Sequence, residues 1–211
     1  KGEIIADREA RDTLVITRER SRQVFEFAFE LARSRASAGG KSKVTLVDKA
    51  NVFSSMAFFR KVFDEVAATH TDIETERLYV DACALDLVRR PWEFDVLVTE
   101  NMFGDILSDL AAGLVGGMGF APSADIGDSR AVFQPAHGSA PDIVGKGIAN
   151  PTAAILSGAM MLDWLGRKHQ LSSCLDAARL IEEAVEQVLQ GGPEAFSSTA
   201  GMTQRVMDAI G

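Results

Sequence analysis

Two aspartates stand four residues apart in Asp105-Ile106-Leu107-Ser108-Asp109. On a helix, that spacing puts both carboxylates on one face. Like charges so placed repel unless solvent or a cation relieves them. Hard oxygen donors on one face suit Mg²⁺ or Mn²⁺. A solvated helix face would carry the same pair, but Ile106, Leu107 and Leu110 predict a largely buried helix, with glycines at 104 and 113. A second group, Asp48-Lys49-Ala50-Asn51, directly follows the apolar run 44–47. The C-terminal ends of parallel strands are where α/β proteins bind ligands. A lysine there can act as a partly desolvated acid/base, and Asn51 adds a donor and an acceptor; a surface loop with a solvated lysine reads equally well. Asp81 follows Leu78-Tyr79-Val80, where it is either a helix N-cap or a metal carboxylate. The local pattern favours the cap.

A fourth group is His137-Gly138-Ser139-Ala140-Pro141-Asp142, followed by Gly145, Gly147 and Asn150-Pro151. Glycine lets a backbone approach a bulky ligand closely. Asp142 can accept hydrogen bonds from a ribose diol, and His137 can stack or hydrogen-bond. An ordinary turn-rich loop has the same composition. The chain contains no GxGxxG, GxSxG, GxxxxGK[ST] or HExxH pattern.

The elements that must position these groups alternate in period. Thr17 predicts the cap of a helix running to about residue 34, with Val24, Ala28 and Leu31 on one stripe. Residues 44–47 read as a buried strand, and Met56, Phe59, Phe63 and Val66 mark a helix. Residues 78–80 and 96–98 are further strands, separated by a helix over 82–88; residues 104–115 form another helix. A Gly-, Pro- and Asp-rich region then runs from 116 to 151, broken by the apolar piece Ala131-Val132-Phe133, and reads as a functional loop and domain junction. Helices follow over 153–165 and 172–189, and a last short one is capped by Thr199. This order predicts an α/β protein with at least partly parallel pairing.

Composition sets outer bounds. Of 211 residues, 46% are hydrophobic, enough to build a core over most of the length. Lys plus Arg number 22 against 30 Asp plus Glu, a formal charge of −8, which argues against a non-specific nucleic-acid binder. No run approaches a membrane span, and no signal-peptide core opens the chain. Cys83 and Cys174 form no metal or redox pattern and read as buried thiols in a reducing, cytoplasmic setting.

Taken in order, several stretches resemble one known family: Lys49-Ala50-Asn51, the run from Asn101 through Asp109, Gly117-Met118-Gly119-Phe120-Ala121-Pro122-Ser123-Ala124, His137 through Ile143, and Gly147-Ile148-Ala149-Asn150-Pro151. Their order and spacing resemble the metal-dependent β-decarboxylating dehydrogenases of the isopropylmalate, isocitrate, homoisocitrate and tartrate type, over residues 12–165. The resemblance implies an α/β, isopropylmalate dehydrogenase-like two-domain fold with helices packed on mixed sheets and its N-terminal part missing. Residues 1–116 would be part of the central dimerisation and catalytic domain. Residues 117–211 would be part of the return into the nucleotide-side domain.

It also implies roles. Asp105 and Asp109 would ligate Mg²⁺ or Mn²⁺, and Asp81 would add a carboxylate across a homodimer interface. Lys49 would be the acid/base, also offered across that interface, and Asn51 would touch substrate and nicotinamide. His137, Gly138, Ser139, Ala140, Asp142, Ile143 and Asn150 would hold the adenosine half of NAD. Asp142-Ile143 is similar to NAD-preferring members and would repel a 2′-phosphate. The implied reaction is oxidative decarboxylation of a 3-substituted malate, a small hydroxy-diacid or triacid. 3-Isopropylmalate is the first choice, ahead of isocitrate, homoisocitrate and tartrate or malate. The family's proton-donating tyrosine and its carboxylate-gripping arginines belong upstream of Lys1; Tyr79 does not match that tyrosine. On this reading the first third of a longer chain is absent, and the piece alone should be poorly stable or inactive. Glu100 departs from expectation by adding negative charge near the metal carboxylates. A non-catalytic regulatory subunit of this fold would usually lose Lys49 or the aspartates. An unrelated Mg²⁺ hydrolase would leave residues 137–150 unexplained.

Overall fold

The computed structural model describes residues 2–192 and 198–211. They separate into two compact units, one ending at Leu110 and the other starting at Ala111.

The first unit opens with a small antiparallel hairpin, β1 (Glu3–Ile5) and β2 (Glu9–Arg11), turned by Ala6 and Asp7, both with left-handed backbone. Helix α1 (Arg18–Ala36) is capped by Thr17, whose side chain accepts the Arg20 N–H. Its buried stripe is Ser21, Phe25, Ala28, Phe29 and Ala32, not the expected Val24-Ala28-Leu31 line; Val24 and Leu31 are 37% and 38% exposed. Two phenylalanines bury more apolar area than a valine and a leucine, so they take the core face.

Strand β3 (Lys43–Asp48) is the centre of a parallel sheet in the order β4-β3-β5, with β4 at Glu74–Tyr79 and β5 at Val96–Val98. Between β3 and β4 comes α2 (Ser54–Ala67); between β4 and β5 comes α3 (Val80–Arg89). Both faces of the sheet are covered. Val44 and Leu46 pack with α1 and α2, where Phe25, Phe29, Phe59 and Phe63 meet at ring-centroid distances of 4.6 to 5.7 Å. Val47 points the other way, into a cluster with Cys83, Leu87 and Leu107. Burial on both faces is why β3 reads as a continuous apolar run rather than an alternating one. Cys83 is buried and Cys174 half-buried, and both are free thiols.

Three expectations need correction here. Residues 78–80 are not a whole strand: β4 begins at Glu74, and Val80 already opens α3. Its start, Glu74-Thr75-Glu76-Arg77, is polar because β4 lies at the edge of this sheet. Asp81 therefore sits in the first turn of α3, not at its N-cap, which is Tyr79. On α4 (Asn101–Leu114), Leu107 is buried but Ile106 is 60% exposed, so only one side of that helix enters the core.

In the second unit, residues 116–151 are more than loop. They contain an antiparallel hairpin, β6 (Pro122–Ile126) with β7 (Ala131–Pro135). Helix α5 (Thr152–His169) packs on it, with Trp164 against Phe133 at 6.0 Å between ring centroids. Helices α6 (Ser172–Gln190) and α7 (Thr199–Ile210) join α5 around Ala184, Val185, Met202 and Val206. The cap of α7 is Ser198, which accepts the Gly201 N–H; Thr199 is instead the first helical residue. No helix among the described residues is long and apolar enough to cross a membrane.

Candidate active site

All three parallel strands of the first unit run out at the same edge. Asp48 ends β3 in register with Tyr79, which ends β4; Leu46 pairs with Val98, which ends β5. The segments that leave this edge carry Lys49-Ala50-Asn51, then Asp81, then Asp105 and Asp109 on α4. In an open parallel sheet, the ligand crevice lies outside the carboxyl ends of the strands.

Lys49 and Asp81 are in direct contact. The Lys49 Nζ donates to Asp81 Oδ1 at 2.6 Å; the lysine side chain is 23% exposed and the aspartate 70%. Lys49 Nζ also lies 5.7 Å from the centre of the Tyr79 ring. The Lys49 ammonium, together with the backbone N–H groups of Asp81 and Ala82, holds the Asp81 carboxyl below the usual carboxylate range. Asn51 is exposed on the same loop.

Asp105 and Asp109 are exposed, one turn apart on α4, and neither carboxylate is ion-paired among the described residues. Two carboxylates on one helical face could supply part of the oxygen donor set of a small divalent cation. Among the described residues, however, no three His, Cys, Asp or Glu side chains of one chain converge to hold an ion. Asp81 thus does not complete a carboxylate triad with Asp105 and Asp109 inside a single chain.

Glu100 does not add free charge here. Its carboxylate accepts the N–H groups of Met102 and Phe103 at 3.0 and 2.8 Å, its carbonyl accepts that of Gly104, and the residue is buried. It caps α4, and the positive end of the helix compensates its charge. The signal was present in the sequence, an acid immediately before the first helical turn, but glutamate is not among the favoured capping residues.

Arg60 carries no signal in the sequence analysis, and Asp48, named there beside Lys49, was given no role. Asp48 has a fully buried side chain and takes two hydrogen bonds from the Arg60 guanidinium, both 2.7 Å. A charge at the last position of an apolar strand, next to a candidate lysine, was the available signal.

In the second unit, residues 137–150 form a tethered loop. His137 Nδ1–H donates to the Gly138 carbonyl at 2.8 Å. Ala140 adopts a left-handed backbone (φ 43°) before the single 3₁₀ turn Pro141–Ile143, on which Asp142 is exposed. Thr199 donates to the carbonyls of Gly147 and Ala149. Asn150 Oδ1 accepts the Thr152 N–H at 3.0 Å, and a Cβ on Gly119 would lie 2.9 Å from that of Asn150, so only glycine fits there. Non-glycine residues in left-handed conformation cost about 1–3 kcal/mol and gather at ligand sites. An exposed carboxylate beside exposed Gly138 and Ser139 suits a sugar diol.

An open parallel sheet with an amine and carboxylates at its carboxyl edge is the arrangement in which α/β proteins bind their ligands. Comparison with known proteins narrows this. The family model described as isocitrate/isopropylmalate dehydrogenase matches residues 1–209. The 3-isopropylmalate/3-methylmalate dehydrogenase of Methanocaldococcus jannaschii is 50% identical over 85% of this chain and 52% of its own length. The isocitrate/homoisocitrate dehydrogenase of Thermus thermophilus is 46% identical over 93% of this chain and 57% of its own. Among solved structures, isocitrate dehydrogenase from Methylococcus capsulatus superposes with a TM-score of 0.85 at 43% identity, over 98% of this chain and 61% of that one. The chain belongs to the isocitrate/isopropylmalate dehydrogenase family, and it spans about half the length of the curated relatives it matches.

Proposed function

We propose that the complete protein is an NAD-dependent oxidoreductase that oxidises and decarboxylates a 3-substituted malate with the help of Mg²⁺ or Mn²⁺. The observation that carries this reading is the shared strand edge on which Lys49, Asp81, Asp105 and Asp109 emerge. 3-Isopropylmalate is the first substrate to test, then isocitrate and homoisocitrate, the acids in the names of its relatives.

Asp105 and Asp109 of one chain would hold the cation, and Asp81 of a second copy would complete its ligand set in a homodimer. A cation bound there would supply Lewis acidity toward the C2 oxygen, and a bound dinucleotide would supply the acceptor for the C2 hydride. Lys49 Nζ, once it has given up its own proton to become the neutral amine, would take the C2 hydroxyl proton, with Asp81 orienting it. Asn51 spans substrate and nicotinamide. His137, Gly138, Ser139, Ala140, Asp142, Ile143 and Asn150 bind the adenosine half. Asp142 accepts from the ribose diol and repels a 2′-phosphate, which selects NAD over NADP. We place the enzyme in the cytoplasm, where thiols such as Cys83 and Cys174 stay reduced.

NADH formation by the full-length protein, with Mn²⁺ and each acid in turn, is the direct test. Turnover with one of them is the expected result; none with any acid overturns the proposal. Asp105→Asn should cut turnover by at least about a hundredfold while leaving NAD⁺ affinity nearly unchanged. Equal loss of both would remove Asp105 from the metal site.

A further inference from the structure

The loop that presents Lys49 and Asn51 is built on the Asp48–Arg60 pair. Asp48 Oδ1 accepts the Arg60 Nη2–H and also the Ala50 N–H, at 2.7 and 2.9 Å, while Oδ2 accepts the Arg60 Nε–H at 2.7 Å. The Lys49 carbonyl in turn accepts the N–H groups of Val52 and Phe53 at 2.9 and 3.0 Å. The backbone on both sides of Lys49 is therefore tied down. The Arg60 guanidinium lies 5.2 Å from the centre of the Tyr79 ring, the same ring that Lys49 Nζ approaches. Tyr79 is the register partner of Asp48 across the β3–β4 ladder.

Stability alone is a poor reason for such a pair. A buried ion pair replaced by apolar residues of similar size is often no less stable. What the pair supplies is direction. A guanidinium binds a carboxylate through a planar fork, which fixes the carboxylate's orientation. The fixed Oδ1 then fixes the Ala50 amide, and with it the exit path of the chain at Lys49.

We propose that Arg60, acting through Asp48, is a positioning residue for Lys49: it sets the course of loop 48–53 so that Nζ reaches Asp81 and the substrate hydroxyl. This rests on the acid/base reading of Lys49.

The test is a double-mutant cycle on the full-length enzyme, assayed with NAD⁺, Mn²⁺ and whichever of the three acids supports turnover. Amide exchange at Ala50, Val52 and Phe53 is followed alongside. Arg60→Met should lower kcat about a hundredfold, the scale of a reacting group displaced by an ångström, with KM for NAD⁺ within about twofold. The Ala50 amide should lose protection while those of the α2 core keep theirs. Arg60→Lys, which keeps the charge but not the fork, should recover to within about tenfold of wild type. Lys49→Met should be slower than either, and adding Arg60→Met to it should change kcat by no more than about twofold, because the two act as one unit. If Arg60→Met does not fold with Asp48 left unpaired, the double variant Asp48→Asn/Arg60→Met removes the buried charge. It should keep a near-native Tm and show the same loss of kcat.

Multiplying losses for Arg60→Met and Lys49→Met would overturn the inference, as would unchanged kcat in the folded Arg60 variants. Unchanged kcat in Lys49→Met would instead overturn the acid/base reading itself.

Discussion

Cys83 shows how burial sets the chemistry of a single side chain. It lies among Val47, Leu87 and Leu107, and loss of solvent pushes its thiol up to about 11; the charges of Asp86 and Glu76 push the same way. The folded state keeps the proton while the unfolded chain releases it near the ordinary value of 9.0. Stability is therefore unaffected by this group below that value and falls as pH climbs from 9.0 toward about 11. Wild type should exceed Cys83→Ala in stability at neutral pH, because the substitution leaves a cavity, and the gap should narrow across that window in urea titrations. Iodoacetamide at neutral pH should label Cys83 only in denaturant, as read by peptide mapping. At this scale spacing and neighbours singled out Lys49, Asp105 and Asp109 as candidates, and the roles proposed for them rest on the family resemblance. The Asp48–Arg60 pair was not legible, because its members lie 12 residues apart and meet only when α2 packs on β3.

Among the elements, α4 depends on its cap. Glu100→Ala strands the Met102 and Phe103 amides that its carboxylate now satisfies. The expected loss is about 1–2 kcal/mol by denaturant titration, and Glu100→Gln should recover part of it, since one amide oxygen can still accept. A wild-type midpoint for Glu100→Ala would contradict the capping role. In the second unit, α5 and α6 approach closely at Gly166, where a Cβ would stand 2.6 Å from Leu175 Cδ2 and 3.1 Å from the Leu171 carbonyl. Gly166→Ala should lower stability by about 1–3 kcal/mol, toward the small end if Leu175 can swing away; calorimetry on the full-length protein decides it. Elements with a strong apolar period, such as α2, could be read directly. Those whose pattern is diluted by solvent could not: β4 opens with charged residues as an edge strand, and β6 is a short run from Pro122 to Ile126 with no member fully buried.

For the whole molecule, the question is how many chains build one site. Lys49 and Asp81 touch within a chain, yet among the described residues no chain gathers three metal-binding side chains by itself. The proposed homodimer takes Lys49 and Asp81 from one copy and Asp105 and Asp109 from the other. Inactive Lys49→Met and Asp105→Asn proteins, mixed under conditions of subunit exchange, should then regain activity. Half the dimers would be hybrids with one intact site of two, giving about a quarter of wild-type turnover. Exchange demonstrated by mass spectrometry without recovery would show that each chain builds its site alone.

The amino-acid order by itself determined the class of fold, the family resemblance, and which side chains are candidates for the chemistry. Those properties rest on local period, composition and the adjacency of residues along the chain. Only the tertiary structure decided which charges are free and which are already engaged. Glu100 is occupied by a helix end, Asp48 by Arg60, and Asp81 by Lys49, whereas Asp105 and Asp109 have no ion-pair partner among the described residues. A carboxylate's partners are set by where strands stop and helices pack, distances that no short stretch of sequence encodes.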